Sequence, residues 1–165
     1  MVDIYSRGRK KKTPVIVAAE QGSRVMVHLL VSEGADVSLV DRASHNILHL
    51  ACQTGNVEVV KYVLSQDLVD INSRGWYSKT PVMLAAWEGH RDVVELLVNN
   101  GADVSLVDKG GNNILHYACD EAYLEVVKYV LSQNGVDINA RTDSNQGVEN
   151  ADSKRRAWSS FATWW

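Results

Sequence analysis

The sequence predicts an all-α solenoid of four helix-turn-helix units that are linked by short β-hairpin-like loops. The chain matches itself at an offset of 67 residues, and residues 58–66 (EVVKYVLSQ) recur unchanged at 125–133. Pairs of small residues recur at spacings of 33, 34 and 33, beginning at Ala18, Ala51, Ala85 and Ala118. A single helix pair cannot bury its apolar face, and about three stacked units are needed for stability. Four units are therefore enough for a small solenoid.

The first helix of each unit is predicted to begin at a capping residue. Thr13 and Thr80 stand before prolines, and Asn46 and Asn113 take the same place in units two and four. A Thr or Asn side-chain oxygen satisfies an amide at the start of a helix, and proline in the first helical position forfeits no hydrogen bond. The helix is expected to be short and to end at a residue of the series Gly22, Gly55, Gly89 and Ala122.

The second helix of each unit is predicted from apolar residues at helical spacing, as in 59–64 and 93–98. In three units a glycine is predicted to end this helix in the left-handed conformation. These glycines are Gly34, Gly101 and Gly135. Unit two has Leu68 in this place, so the end of its second helix is less clearly marked.

Unit three carries the fullest motif. It reads Thr80-Pro81-Val82-Met83-x-Ala85-Ala86-x-x-Gly89-His90, then Asp92-Val93-Val94-x-Leu96-Leu97, then Gly101-Ala102-Asp103-Val104. This pattern resembles the ankyrin repeat, and the resemblance covers roughly residues 2–141, with units at about 9–41, 42–74, 76–108 and 109–141. Units two and four keep the histidine of the motif as His49 and His116. The resemblance implies a stack with nearly additive stability and a concave surface that binds partners.

The two ends depart from the repeat. The chain starts within a hairpin whose preceding helices are missing, which predicts an exposed apolar face on unit one at Val15, Val17 and Val25. The favoured interpretation is a piece of a longer array, and the alternative is that Met1 is a true end and unit one frays. At the other end, residues 142–165 are predicted to be a linker and an aromatic tail.

The tail has three interpretations. Trp158, Phe161 and Trp165 would share one face of a short helix, which could cover the open end of unit four. A disordered tail without a selected role is favoured slightly over that cap. A membrane-interface anchor beside the basic residues 154–156 is a weaker possibility.

The composition indicates a globular interaction domain. The formal net charge is -3, which gives no general reason to expect a nucleic-acid or membrane partner. No apolar run approaches the roughly 20 residues of a membrane span, and no secretory signal is visible. The dense basic run at 7–12 is interpreted as a solvated hairpin tip, and the alternatives are a nuclear address or a patch for an anionic partner. An intracellular location is expected, cytoplasmic with nuclear possible.

Two His-x-x-Cys pairs suggest a metal site at first sight, His49 with Cys52 and His116 with Cys119. Packed helices are about 8–10 Å apart, so pairs two units apart cannot share a zinc ion or form a disulfide. Both cysteines are instead predicted to be buried small hydrophobic residues that react slowly. No nucleophile–base set or phosphate loop is visible. We therefore expect no catalytic residues, no metal and no cofactor.

The predicted partner-binding residues lie at the hairpin tips and the outer ends of the first helices. They are Arg42, His45, Gln53, Trp76, Tyr77, Lys79, Trp87, Glu88, Lys109, Asn112, Asp120 and Glu121. Trp and Tyr are favoured at binding hot spots. For Trp76 and Tyr77, binding and the covering of a neighbouring loop are about equally favoured, whereas Trp87 is predicted to bind. Replacing Trp87 with Ala is expected to weaken binding by ~2 kcal/mol without unfolding the chain.

The predicted function is a scaffold or adaptor module that binds a protein partner of unknown identity. The alternative is a targeting or regulatory segment of a larger protein whose catalytic domain lies outside this chain. A purely structural spacer is a third hypothesis. The chain itself is not expected to be an enzyme.

Overall fold

The computed structural model describes residues 11–142, and in that range it contains eight α-helices and one 3₁₀ turn. The α-helices form four antiparallel pairs, each pair corresponding to one unit of the repeat. They are α1 Pro14–Glu20, α2 Arg24–Ser32, α3 Ile47–Gln53, α4 Val57–Ser65, α5 Pro81–Trp87, α6 Arg91–Asn99, α7 Ile114–Asp120 and α8 Leu124–Leu131. The 3₁₀ turn spans Trp76–Ser78. The predicted all-α fold is confirmed.

The helices are arranged in two rows. The first helices α1, α3, α5 and α7 pack on one another in sequence, and the second helices α2, α4, α6 and α8 form the other row. Each first helix also packs on the second helix of its own unit. The core lies between the rows, where the small residues at 18–19, 51–52, 85–86 and 118 are almost fully buried. Small side chains are required there because they let neighbouring helix backbones approach closely.

Three of the four predicted capping residues form a side-chain cap, and the hydroxyl of the fourth, Thr80, is buried without a hydrogen-bond partner among the described residues. Asn46 Oδ1 accepts hydrogen bonds from the backbone N–H groups of Leu48 and His49, both at 3.1 Å. Asn113 makes the equivalent pair in unit four, and Thr13 Oγ1 accepts from the N–H of Ile16 at 3.5 Å. Thr80 occupies the N-cap position of α5. These bonds satisfy amides that the first turn leaves without an intrahelical partner.

Gly34 and Gly101 adopt the left-handed conformation directly after the C-caps of α2 and α6, as predicted. Gly135 is also left-handed, but the prediction that it ends α8 is wrong, because this helix ends at Leu131 with Ser132 as its C-cap. In unit two, which lacks this glycine, Asp67 takes φ = 49° and ends α4. Asp is one of the few side chains that tolerate this region. The end of α4 could not be located from the glycine pattern, because here Asp67 is the left-handed residue.

The exposed face predicted for unit one is partly confirmed. The side chains of Val17 and Val25 are 42% and 77% exposed. Val15 was predicted to be exposed with them, and this is wrong, because it is only 1% exposed. Val15 points into the core, where α1 packs on α2 and α3. The basic residues 7–10, the linker and the aromatic tail lie outside the described residues.

Candidate partner-binding surface

The hairpin tip of unit three presents the most exposed aromatic side chain of the predicted surface. Trp76 is 40% exposed at a turn in which Tyr77 and Ser78 adopt φ = 57° and 61°. Two consecutive non-glycine residues in this region cost conformational energy. The turn is closed by the N–H of Gly75, which donates to the carbonyl of Lys79 at 2.9 Å. The neighbouring structure therefore holds this tip in one strained conformation.

The tip is also tied to the next one along the array. The N–H of Lys109 donates to the carbonyl of Tyr77 at 3.0 Å. Arg74 Nη1 donates to the carbonyls of Ser78 and Val107, at 2.9 and 2.6 Å. These bonds fix the spacing between two tips of the predicted surface. A rigid tip loses little conformational entropy when a partner binds.

Behind the tip, a buried lysine lies among three aromatic rings. Lys79 is 3% exposed, and its Nζ lies 4.4 Å from the ring centre of Trp87, 4.9 Å from that of Trp76 and 5.4 Å from that of Tyr117. Ring faces attract cations, and the attraction grows when the cation is desolvated. The cluster therefore offsets part of the cost of burying an ammonium group.

Tyr117 links this aromatic cluster to the next hairpin. Its hydroxyl donates to Asp108 Oδ2, and burial together with this carboxylate raises the pKa of Tyr117. Asp108 Oδ1 also accepts hydrogen bonds from the N–H groups of Gly110 and Asn112. Neither Tyr117 nor Asp108 was among the predicted site residues. The sequence contained a signal for Tyr117, because this residue carries a hydroxyl at the position where unit two has the apolar Leu50.

Three predicted surface residues are buried, and the expectation that they face solvent is wrong. Trp87 is 7% exposed because the ring of Tyr117 packs on it with the ring centres 5.9 Å apart. Lys79 is enclosed by the aromatic cluster. His45 is 6% exposed and stacks on His49, with ring centres 5.3 Å apart. Side chains of the same and the following unit cover these positions, which a one-unit pattern does not include.

The buried histidines are held in the neutral state. Burial, with the nearby positive charges of Lys79 and Lys12, lowers the pKa of His45 to about 4. Burial and the neighbouring His45 lower the pKa of His49 to about 3. His49 Nδ1 lies 2.8 Å from Asn46 Oδ1, and Nε2 lies 3.3 Å from the carbonyl of Lys79. His49 therefore connects unit two to unit three, whereas the buried Nε2 of His45 has no hydrogen-bond partner among the described residues.

The other predicted residues are at least partly accessible. Arg42, Glu88, Lys109, Asp120 and Glu121 are exposed, and Gln53, Tyr77 and Asn112 are half-buried. Asn112 Nδ2 donates to both carboxylate oxygens of Asp108 at 3.1 Å, which gives it a structural role in the hairpin.

A second group of these residues meets at the outer ends of α3, α5 and α7. Partial burial raises the pKa of Glu88, with the charge of Glu121 acting in the same direction. A hydrogen bond from Gln53 and the nearby His90 act against this shift. The structure thus brings Gln53, Glu88 and Glu121 together into an acidic ledge, while Trp76 and Tyr77 form a separate tip.

The cysteines differ from the prediction in one respect. Both are free, and Cys52 is fully buried, which raises the pKa of its thiol. Cys119 was expected to be buried, and it is exposed. Its side of α7 has no following unit against it in residues 11–142. Within the same range, no cluster of three or more His, Cys, Asp or Glu residues has a geometry suited to a metal ion.

A stack of helix pairs with a row of hairpin tips defines a helical-repeat protein of the interaction type. A family model described as "Ankyrin repeats (3 copies)" matches residues 2–75 and again residues 69–142. The chain belongs to the ankyrin repeat family. Ankyrin repeats are protein-interaction modules and are not themselves catalytic. In residues 11–142 no helix is both long enough and apolar enough to cross a membrane.

The chain is similar to the repeat regions of several much larger proteins. It is 33% identical over 145 residues to the palmitoyltransferase AKR1 of Lachancea kluyveri, covering 86% of this chain and 20% of that protein. It is 30% identical over 158 residues to the B-cell lymphoma 3 protein homolog of Mus musculus, covering 93% and 35%. The E3 ubiquitin-protein ligase KEG of Arabidopsis thaliana is 34% identical over 105 residues, covering 62% and 6%.

The chain therefore spans about a third of these relatives or less. Their names describe different activities, and what they share with this chain is the repeat segment. The likeness supports the common module and does not select one activity.

Proposed function

We propose that this chain is a scaffold or adaptor module that binds a protein partner through the hairpin tips and the acidic ledge of units two to four. The observation that carries the proposal is the tip at Trp76. A large aromatic side chain stands 40% exposed on a turn with two left-handed residues. One hydrogen bond within the tip and two to the next hairpin hold this turn in place. Exposed rigid aromatic residues are favoured anchors in protein interfaces.

The charged residues of this surface favour a partner that carries both acidic and basic groups. Arg42 and Lys109 are exposed on the tips, and Glu88 and Glu121 are exposed at the ledge. A partner segment that lies along the surface would meet basic groups on one side and acidic groups on the other. Complementary charge of this kind increases the association rate and the specificity more than the affinity.

The test is a Trp76→Ala substitution in the full chain. We expect it to weaken partner binding by about 2 kcal/mol, because an aromatic anchor is lost. Some loss of thermal stability is expected as well, since Trp76 is one of the three rings around Lys79 Nζ, and circular dichroism checks that the variant is folded. Proteins retained by the immobilised chain would be identified by quantitative mass spectrometry. The affinity of each recovered partner would then be measured by calorimetry with wild type and variant.

Lys61→Ala is the matched control, because Lys61 is exposed on α4, in the other helix row. Equal affinity of wild type and Trp76→Ala for every recovered partner would contradict the proposed surface. Loss of binding in the Lys61 variant would place the interface on the second helices instead.

The alternative function is a targeting or regulatory segment of a larger protein with a catalytic domain elsewhere. The relatives favour it, because several yeast proteins named palmitoyltransferases carry a similar segment in a fraction of their length. In this alternative the segment still binds a partner, and the partner is a substrate or regulator of the attached enzyme. Sequencing the complete transcript distinguishes the two.

We further propose an intracellular location, in the cytoplasm or the nucleus. Two free thiols, one of them exposed, suit a reducing compartment. We propose no cofactor, no metal and no small-molecule substrate for the chain. Microscopy of a tagged full-length protein tests the location.

A further inference from the structure

The outer face of unit four is exposed but keeps the apolar residues of an interior interface. Leu124, Leu131 and Ile138 are 60%, 51% and 69% exposed, and Cys119 is exposed beside them. The positions 67 residues earlier are Val57, Leu64, Ile71 and Cys52. These are half-buried or, for Cys52, fully buried, since unit three lies against unit two. A unit that faces water on one side normally carries polar residues there, and within residues 11–142 no unit lies against this face of unit four.

The outer face of unit one is the complementary half of the same interface. Val17, Met26 and Leu29 are 42%, 49% and 57% exposed. Their counterparts in unit three, which faces unit two, are Leu84, Val93 and Leu96. Leu84 and Val93 are each 1% exposed, and Leu96 is half-buried. The two end faces of this chain thus repeat the two sides of the joint between units two and three.

Residues that form polar contacts across that joint are also repeated. His49 Nε2 lies 3.3 Å from the carbonyl of Lys79, and Asn72 Oδ1 accepts from the N–H of Asp103 at 2.9 Å. Unit four has His116 and Asn139 at the positions of His49 and Asn72. Unit one has Lys12 and Asp36 at the positions of Lys79 and Asp103.

One contact of the joint differs in both of the end units, and the two differences in side-chain size compensate each other. A Cβ added to Gly55 would lie 2.7 Å from ring atoms of His90, so the joint between units two and three requires glycine there. Unit four has Ala122 at this place, and a neighbour with a histidine would collide with its methyl group. Unit one has Ser23 at the position of His90. The added methyl group is matched by the loss of an imidazole ring.

We infer that the outer face of unit four is a docking surface for unit one of a second copy of this chain. The contact recreates the joint between units two and three between molecules. It is a head-to-tail contact that buries two different faces. A pair of copies therefore still has one unoccupied face at each of its two ends. Further copies bind to these faces. The assembly is therefore an open stack whose length increases with the protein concentration.

The test uses two variants that each block one face of the full chain. Met26→Glu places a charge on the outer face of unit one, and Leu131→Glu places one on the outer face of unit four. Either variant alone is expected to remain monomeric in analytical ultracentrifugation, whereas wild type grows with concentration. An equimolar mixture of the two should form a 1:1 dimer and stop there. Val107→Glu is the control, because Val107 is exposed on a hairpin and is expected to leave assembly unchanged.

Cys119 reports the contact independently. In wild type its labelling by a thiol reagent should slow about tenfold once some nine-tenths of the copies are associated, while in Leu131→Glu it should stay fast at every concentration. Circular dichroism confirms that each variant is folded.

Three results would overturn the inference. Wild type that stays monomeric, with Cys119 reactive throughout, shows that the faces do not meet. A monomer in which Cys119 is protected at every concentration shows that another segment of the chain covers the face. Dimers formed by Met26→Glu alone show a contact between two copies of the same face.

Discussion

Units two and four have nearly the same sequence over their helices but different environments. Residues 58–66 and 125–133 are identical, and both segments form the second helix of their unit. In unit two the side chain of Val60 is fully buried, and its counterpart Val127 in unit four is only partly buried. Cys52 is buried, whereas its counterpart Cys119 is exposed. The same local sequence gives the same helix, and the neighbouring unit decides what is buried.

The comparison also shows what holds unit four in place. In residues 11–142 it has unit three on one side only, and the contact depends on large aromatic side chains. Trp87 packs on Tyr117, and Gly89 leaves room for the ring of Tyr123. Unit two, by contrast, has a neighbour on each side. In a nearest-neighbour stack, losing a single interface should therefore affect unit four more than unit two.

The largest expected effect comes from Trp87→Ala. This substitution was first expected to leave the fold intact, but its burial now predicts a loss of about 3–5 kcal/mol in the free energy of unfolding. Hydrogen exchange should show α7 and α8 losing protection before α3 and α4. Equal loss of protection in both units would contradict the comparison and indicate that the array unfolds as one cooperative body.

A second effect is specific to unit two and depends on pH. His45 and His49 have folded pKa values of about 4 and about 3, whereas an unfolded histidine has about 6.5. Below that value the unfolded chain binds more protons, so stability is complete above about pH 6.5 and falls as the pH drops toward the folded values. Between pH 7 and pH 5 the free energy of unfolding should fall by about 2 kcal/mol or more.

The control for this pH effect is taken from unit four, which has Asn112 at the position of His45. Urea unfolding of His45→Asn across the same pH range should show a smaller decrease than wild type. Titration of both histidines near pH 6.5 in the folded chain, observed by NMR, would show that they are not buried as described.

A third prediction compares the two cysteines directly. Cys52→Ser should destabilise the chain by about 1–3 kcal/mol, because a hydroxyl enters an apolar site. Cys119→Ser should change stability by less than about 0.5 kcal/mol, as for other exposed substitutions. In dilute native protein a thiol reagent should label Cys119 quickly and reach Cys52 only in denaturant. Fast labelling of Cys52 would mean that the centre of the stack opens readily.

The smallest expected effect is at Ala122, which adopts φ = 59°. Ala122→Gly should stabilise the chain by about 0.5–1 kcal/mol, since glycine accepts this conformation without strain. Gly55→Ala should have the opposite sign, because its methyl group would meet the ring of His90. Thermal unfolding of the two variants beside wild type measures both. Backbone strain alone would give opposite signs of similar size, because Gly55 also has a positive φ of 73°. A loss at Gly55→Ala no larger than the gain at Ala122→Gly would therefore show that the ring of His90 adds nothing to the effect.

The candidate site was less predictable than the fold. The pattern located the tip at Trp76 and the ledge residues Glu88 and Glu121, because hairpin tips and helix ends have fixed places in the repeat. It misplaced Trp87, Lys79 and His45, which are buried. Their burial depends on Tyr117, on the other aromatic rings and on His49, which lie up to a full unit away in sequence.

The sequence by itself determined the number of helix pairs, their caps and the small residues between them. Those features follow from local hydrogen bonding and from a period that the chain repeats. Only the tertiary structure decided which of two identical segments is covered, as at Cys52 and Cys119. It also decided that Trp87, at the end of α5, is buried between units three and four. Burial is a property of two surfaces in contact, and the sequence of one unit specifies only one of them.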